Sequence, residues 1–407
     1  MLVSDRTSLV RQWRQDLAAF EVMMERTRLE LDAELGRFDM LASTRQRLER
    51  IASANHTNRA TVSALFADVG LTADPIALQR ADQLGAESTR IVRYFEQVLR
   101  DWGWPGSAQN HASLERLTSV AGHEMKLGRT LVLGAGAGRL AYDLHHALSP
   151  ELTLALDLDP FVLLVAHSAL FGSGAALIET PIDPAGPNDA ALPRELRRDG
   201  NQPKNFALLL ADAFEPPFEA ATFDTVVTPW FIDVAAEDFR DVLGLVSYLL
   251  RPGGRWLNDG PLLYETSSFD LRFSRQEVLE LLELAGFRVD AHTASEMTYL
   301  RSPASAHART ESVLTFSAGK LASPASDGGA PVPSWVILRH LKVPAFVQSV
   351  PSGPPVVAKV LSLVDGARSI TDIAEIIAQL LQPPPGMTVV DIVSGLLLNA
   401  YRDLRRG

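Results

Sequence analysis

The chain has no cysteine among its 407 residues, which excludes disulfides, thiolate metal sites and a cysteine nucleophile, and fits a reducing compartment. It has no excess of positive charge: 38 Lys and Arg against 49 Asp and Glu leave a formal net charge of -11. Without a global basic field to draw a phosphate backbone, nucleic acid is not expected as a partner. Long apolar runs are missing too. No stretch reaches the roughly 18 apolar residues of a membrane span, and Met1 to Phe20 is interrupted by Asp5, Arg6, Arg11, Arg14 and Asp16, unlike the core of a signal peptide. No membrane association and a cytoplasmic location are the expectation. Gly-x-Ser-x-Gly is absent, and no phosphate-loop lysine follows the glycines, so hydrolase and phosphotransferase readings lack their nucleophile and their charge. The 9 histidines form no metal constellation; His145 and His146 are neighbours on a helix and point apart. No metal is expected.

Apolar residues make up 46% and charged residues 21%, the profile of a globular chain rather than of disorder. The length suggests about two or three units. From Ser8 to Trp102, apolar residues recur at three- and four-residue spacing, as in Leu9, Trp13, Leu17, Phe20 and Met24, predicting a helical region. Turn signals fall at Gly70 to Pro75 and Gly103 to Gly106. After Gly128 short apolar runs alternate with helical patterns, the mark of a parallel sheet with crossover helices. Seven strands are expected: Thr130 to Leu133, Leu152 to Leu156, Phe206 to Leu210, Thr225 to Val227, Arg255 to Leu257, Phe287 to Ala291 and Ser312 to Phe316. Helices are expected at Arg139 to Ala147, Phe161 to Leu170 and Ala236 to Leu250, with another from Ser274, which stands at capping-box spacing from Glu277. Gly172 to Asn205, rich in Pro, Gly and Asp, reads as a surface excursion. The expected division is a helical region over 1–122 whose end contributes to the ligand site, an α/β domain over 123–319, a Ser/Pro/Gly/Ala linker over 320–333, and a small, mainly helical domain over 334–407.

The chemistry concentrates at the expected strand ends. Leu131 to Leu133 runs through Gly134, Gly136 and Gly138 into a helix, a turn that lets a ligand approach the backbone at a helix N-terminus. The next strand ends at Asp157, where a carboxylate can accept from both hydroxyls of a ribose. A dinucleotide fingerprint needs glycine at position 139, yet that residue is Arg139, which argues against an oxidoreductase with a nicotinamide or flavin cofactor. Asp212, after a third strand, is placed to receive an adenine amino group or to cap a strand-end turn. Together these strand ends favour S-adenosyl-L-methionine.

The blocks Gly134-Ala135-Gly136-Ala137-Gly138-Arg139-Leu140-Ala141, Trp230-Phe231-Ile232-Asp233, Arg251-Pro252-Gly253-Gly254, Asn258-Asp259-Gly260-Pro261-Leu262-Leu263-Tyr264 and Gln97-Val98-Leu99-Arg100-Asp101-Trp102 resemble the carnosine N-methyltransferase family. The resemblance implies a seven-stranded Rossmann-like class I methyltransferase sheet and S-adenosyl-L-methionine as cofactor. It implies that Gln97 and Arg100 reach the methionine carboxylate, that Gly134, Gly136 and Gly138 line the cofactor, that Asp157 holds the ribose, and that Asp212 and Phe214 bracket the adenine. For the acceptor it points to Asp233 and Tyr299 as catalytic. A carboxylate at 233 can hold one ring N–H of an imidazole and so select the tautomer whose other nitrogen attacks, unless Asp233 caps the helix expected from Ala236. Tyr264 and Glu265 are the expected substrate contacts. The family has a histidine after Gly-Pro-Leu-Leu-Tyr where this chain has Glu265, an acceptor in place of a donor, so the substrate is expected to differ there.

Val360 to Ile373, with Asp365-Gly366 and then Ser369, resembles the PqqD-like winged helix that binds leader peptides, although any small helical domain can use such a turn and cap. The expected acceptor is a histidine-containing small molecule or peptide. The alternatives are a peptide carboxylate as acceptor, and a peptide-binding partner subunit of the same fold without catalysis.

Overall fold

A computed structural model of the chain describes residues 2–3, 7–37, 39–73, 76, 78–80, 90–106, 108–122, 126–235, 238–264, 266, 268–305, 307–321, 334–337, 339–347, 354–384 and 388–406. Its centre is a sheet of β1 (Leu2–Val3), β2 (Arg129–Leu133), β3 (Leu152–Asp157), β6 (Phe206–Leu210), β7 (Phe223–Pro229), β8 (Leu250–Gly260), β9 (Phe287–Tyr299) and β10 (Arg309–Lys320). The spatial order is β1-β6-β3-β2-β7-β8-β10-β9. Strands β6, β3, β2, β7 and β8 run parallel, and β10 enters antiparallel between β8 and β9. Seven of these strands are the expected ones, in the Rossmann-like arrangement that the resemblance implies. The eighth, β1, adds one short parallel pairing, Leu2 with Leu209. Strands β9 and β10 run well past their expected apolar stretches, because the second half of β9 alternates Glu296 and Thr298 outward with Met297 and Tyr299 inward, a polar-looking text on a one-sided strand.

Side chains alternate across the sheet. Val132 and Leu257 join one apolar cluster, with α4 (Arg139–Leu148) and α5 (Pro160–Phe171). Leu131, Leu133 and Trp256 join the other, with α6 (Phe239–Leu249) and α7 (Arg275–Leu284). The expected capping box at Ser274 and Glu277 is formed. The N-terminal helical region divides at Gly36, a break the periodicity does not announce, into α1 (Thr7–Leu35) and α2 (Ala42–Ala67). A further helix, α3 (Ala108–Ala121), falls within the expected helical region and lies against β8, β9 and β10.

The stretch between α5 and β6 is more ordered than a surface excursion. It holds a hairpin of β4 (Ala175–Glu179) and β5 (Leu192–Leu196), with Leu177 and Leu196 fully buried. The Asn58 amide of α2 donates to Ile178 O at 2.8 Å and accepts from Ile178 N at 2.7 Å, pairing as a neighbouring strand would. Apart from Pro193 in β5, the Pro, Gly and Asp residues that dominate its composition lie outside the two strands.

Lys320 belongs to β10, and the rest of the expected linker after residue 321 lies outside the described residues. Beyond it, α8 (Pro355–Ser362), α9 (Ile370–Ile377) and α10 (Val389–Arg406) enclose an apolar cluster of Val360, Ile370, Ile373, Val393 and Leu397. Asp365 Oδ1 accepts from the N–H groups of Ala367 and Arg368, Gly366 takes φ +78°, and Ser369 with Asp372 forms a capping box. The helical turn Ser334–Ile337 packs against α6.

Helix α3 is pinned to the sheet by one buried ion pair. Arg116 donates through Nε to Asp259 Oδ1 at 2.8 Å and through Nη2 to Asp259 Oδ2 at 2.9 Å. Asp259 is fully buried on β8, and its Oδ1 also accepts from Thr315 Oγ1 of β10 at 2.6 Å. Removing one partner of such a pair strands the other charge away from water. Asp259→Ala is therefore expected to lower stability by about 3–5 kcal/mol, read as a shift of the urea midpoint.

Candidate active site

The carboxyl ends of β2, β3, β6 and β7 open onto a cavity of about 530 Å³, beside the point where strand order reverses, the usual ligand position in an open α/β sheet. Gln97, Arg100, Gly134, Gly136, Asp157, Asp212, Phe214, Asp233 and Tyr299 line it together. Gly138 and Tyr264 are not on its wall. Gly138 is the N-cap of α4 and faces Ala166, Leu170 and Leu208, so its missing side chain serves helix-to-strand packing. Tyr264 is buried against Phe273 with its hydroxyl unpartnered; burial, and then the nearby Asp233 charge, push that phenol up. Glu265 lies outside the described residues.

The glycine turn is built for close approach. Gly134 takes φ +65°, and a Cβ there would meet the Phe231 ring at 2.5 Å. Gly136 takes φ +56°, and a Cβ there would meet nothing within 4 Å, so its backbone stands open to the cavity. Against this turn docks a π-helical turn, Leu99–Gly103, of the kind found at functional sites. Trp102 Nε1 donates to Ala137 O at 2.7 Å, and Arg139 Nη1 donates to Asp101 O at 3.2 Å. Arg139, which breaks the dinucleotide fingerprint, thus ties the π-turn to the glycine turn.

Asp157 accepts from Gly136 N at 2.7 Å through Oδ2 and from Asp159 N at 2.9 Å through Oδ1. Asp159, to which the sequence pattern assigned no role, caps α5 by accepting from Phe161 N at 2.9 Å. Its signal was legible: an acid directly before proline at a helix start. Burial, and then the Asp157 charge, push Asp159 up to about 7, and burial raises Asp157 as well. Asp212 both lines the cavity and accepts from Phe214 N at 2.8 Å, so the turn and the cavity roles coexist. Gln97 Oε1 is buried with no hydrogen-bond partner.

At the far end of the cavity Asp233 is buried, and its Oδ2 accepts from Leu263 N at 2.9 Å. It does not cap α6; Asp238 does, with its side chain accepting from Arg240 N. Trp230 follows β7 at φ +51°, uncommon for a bulky residue and characteristic of functional sites. It is held there by donating its N–H to Asp259 O at 2.8 Å. Its ring stacks on Tyr299, with centroids 4.1 Å apart and planes 17° apart. The Tyr299 hydroxyl accepts from Arg100 Nη1 at 3.2 Å, while Arg100 Nε also reaches Asp101 Oδ1 at 2.8 Å. Trp230, Asp101 and Arg309 are cavity residues that pattern alone did not single out.

The raised acid gives a signed pH dependence. The folded chain keeps the Asp159 proton up to about pH 7, whereas the unfolded chain releases it near 3.8. Between those values the folded state binds more protons, so this contribution to stability is present at low pH and is lost as pH rises through the window. Asp159→Asn, which keeps the cap, is expected to remove this loss. The difference between wild type and variant should change by about 4 kcal/mol or less from pH 4 to pH 8, measured by urea unfolding.

Comparison with known proteins finds similarity that includes the second half of the sheet. A family model described as Carnosine N-methyltransferase matches residues 189–320. The carnosine N-methyltransferase of Schizosaccharomyces pombe is 25% identical over 251 residues, covering 52% of this chain and 65% of that protein. The Drosophila melanogaster carnosine N-methyltransferase unmet is 25% identical over 248 residues, covering 55% and 54%. That of Dictyostelium discoideum is 25% identical over 192 residues, covering 41% and 40%, so the chain spans roughly half the length of the relatives it matches. Among solved structures, phosphoethanolamine N-methyltransferase 2 of Haemonchus contortus aligns with a TM-score of 0.37 at 18% identity, covering 59% of each chain. The chain is thus similar in sequence to the carnosine N-methyltransferases, and the matched family model runs from β5 through the Asp233 loop to the end of β10.

Proposed function

We propose that the chain is an S-adenosyl-L-methionine-dependent N-methyltransferase acting on an imidazole or other nitrogen of a histidine-containing small molecule or peptide. The reading is carried by a donor and acceptor set that fits the methyl donor. Gln97 Oε1 is buried without a partner and is ready to accept from an ammonium. Gly136 has open space where a side chain would sit, and Asp157 keeps lone pairs for two hydroxyls beyond its backbone bonds. The similarity to carnosine N-methyltransferases supports the same reading. Gln97 and Arg100 would hold the methionine end, Gly134 and Gly136 would border it, Asp157 would hold the ribose, and Asp212 with Phe214 would hold the adenine. The units would be 1–122, 123–319, 320–333 and 334–407.

Bound S-adenosyl-L-methionine supplies an electrophilic methyl group. The chain's own task is to present a neutral nitrogen lone pair to it. Asp233, anchored by the Leu263 N–H, accepts the acceptor's ring N–H and so leaves the other nitrogen unprotonated for attack. As that nitrogen gains its methyl and the ring becomes cationic, the same carboxylate stabilises the charge and can take the N–H proton. Phe231 and Tyr299, both buried, wall off water, and alignment of the nitrogen supplies most of the acceleration. Transfer of tritium from labelled S-adenosyl-L-methionine to a histidine-containing acceptor is the test. Asp233→Asn is expected to lower kcat by about 100-fold or more while cofactor affinity stays unchanged. Gly136→Asn, a residue that tolerates the left-handed backbone and fills the open cradle, is expected to abolish cofactor binding with the fold retained. Binding without transfer would assign the chain a non-catalytic role.

A second reading, a peptide acceptor held by residues 334–407, draws on the exposed apolar side chains of Ile376 and Leu380 at the end of α9. Ile376→Asp combined with Leu380→Asp should then slow methylation of a long histidine-containing peptide but not of a dipeptide. An equal effect on both would reject it.

A further inference from the structure

The acceptor end of the cavity carries a cation that the proposed function does not use. Among the described residues lining the cavity only Arg100 and Arg309 are cationic, against Asp101, Asp157, Asp212 and Asp233. Arg100, given to the methionine end above, is braced through Nε and Nη2 on Asp101 and through Nη1 on the Tyr299 hydroxyl. Arg309 is arranged differently. Its Nε pairs with the buried carboxylate of Glu311 at 2.7 Å, and its guanidinium carbon lies 4.7 Å from the centre of the Tyr299 ring. Trp230 stacks on the same ring, and the Arg100 guanidinium carbon lies farther from its centre, at 5.5 Å.

A guanidinium fixed at Nε and laid on an aromatic ring offers its two terminal nitrogens as a fork, matched to the two oxygens of a carboxylate. The Arg309 side chain is 60% exposed, and its contacts with Glu311 and Tyr299 restrict its rotamers and so reduce the freedom lost on binding. An anion approaching a chain of net charge -11 needs such a local cation. A phosphate dianion, among four carboxylates and with Arg100 given to the methionine end, would be poorly compensated by Arg309 alone.

We infer that Arg309 is a specificity-determining residue that binds a carboxylate of the methyl acceptor. The acceptor is then a nitrogen nucleophile that also carries an acid group, with Asp233 on its N–H and Arg309 on its carboxylate. The inference rests on the methyl-transfer reading above and names the substrate class for it.

The test uses the full chain and tritiated S-adenosyl-L-methionine with L-histidine, carnosine, the C-terminal amides of both, histamine and L-histidinol phosphate. The acids are expected to have KM values on the order of tenfold to a hundredfold below those of their amides. Arg309→Gln should raise the KM of the acids by that factor, leave their kcat in place and leave the amides unaffected. Arg309→Lys should restore part of the loss. Equal changes for acid and amide, a wild-type preference for the amides or for histidinol phosphate, or transfer to histamine alone would each overturn the Arg309 assignment while methyl transfer stands. No transfer from the wild type to any of the six would overturn the methyl-transfer reading, and this inference with it.

Discussion

The carboxylate of Asp259 is the fixed point from which one half of the cavity is built. Its oxygens clamp Arg116 of α3 and Thr315 of β10, and its own carbonyl holds the Trp230 N–H. Helix, two strands and the β7 loop therefore meet at one fully buried residue. Arg116 also donates toward Met297 Sδ at 3.3 Å, which carries the constraint into β9 two residues before Tyr299. A buried pair of this kind contributes less net stability than its contacts suggest, because both charges were taken from water. What it adds here is geometry, since a bidentate fork fixes direction as well as distance.

That geometry holds a backbone conformation which the local sequence would not choose. Trp230 sits at positive φ, and Gly260 stands against it: a Cβ at 260 would lie 3.0 Å from both the nitrogen and the Cα of Trp230. Strain of this sort persists only where the surroundings over-determine it. The return is a Trp230 ring laid flat on Tyr299, whose hydroxyl Arg100 reaches and whose ring Arg309 approaches to 4.7 Å.

Much of the fold was legible because its parallel strands are buried on both faces and so read as short apolar runs between glycine-rich turns. Gly134, Gly136, Asp157 and Asp212 were legible for a related reason: they stand directly after those runs, and sheet topology brings successive strand ends to one edge. Helix α3 lay inside the expected helical region, but Arg116 was not legible on it, since the carboxylate it pairs with stands 143 residues further along the chain. The grouping of Trp230, Tyr299 and Arg309 was not available from spacing either, because it joins residues from three separate segments through an antiparallel insertion. The β4–β5 hairpin was hidden by its turns, whose composition outweighed two short strands.

The π-turn at Leu99–Gly103 has a consequence for which changes this region can absorb. Gln97, Arg100 and Asp101 stand at i, i+3 and i+4 and so share one face on the cavity, and the π-turn then brings Trp102 onto the glycine turn. Each residue inserted or removed rotates the remainder of a helix by about 100°. Chain length here is accordingly under tighter constraint than side-chain identity: a single-codon deletion upstream of Trp102 would turn the indole away from Ala137 and dismantle the seam with the glycine turn without altering any residue that lines the cavity.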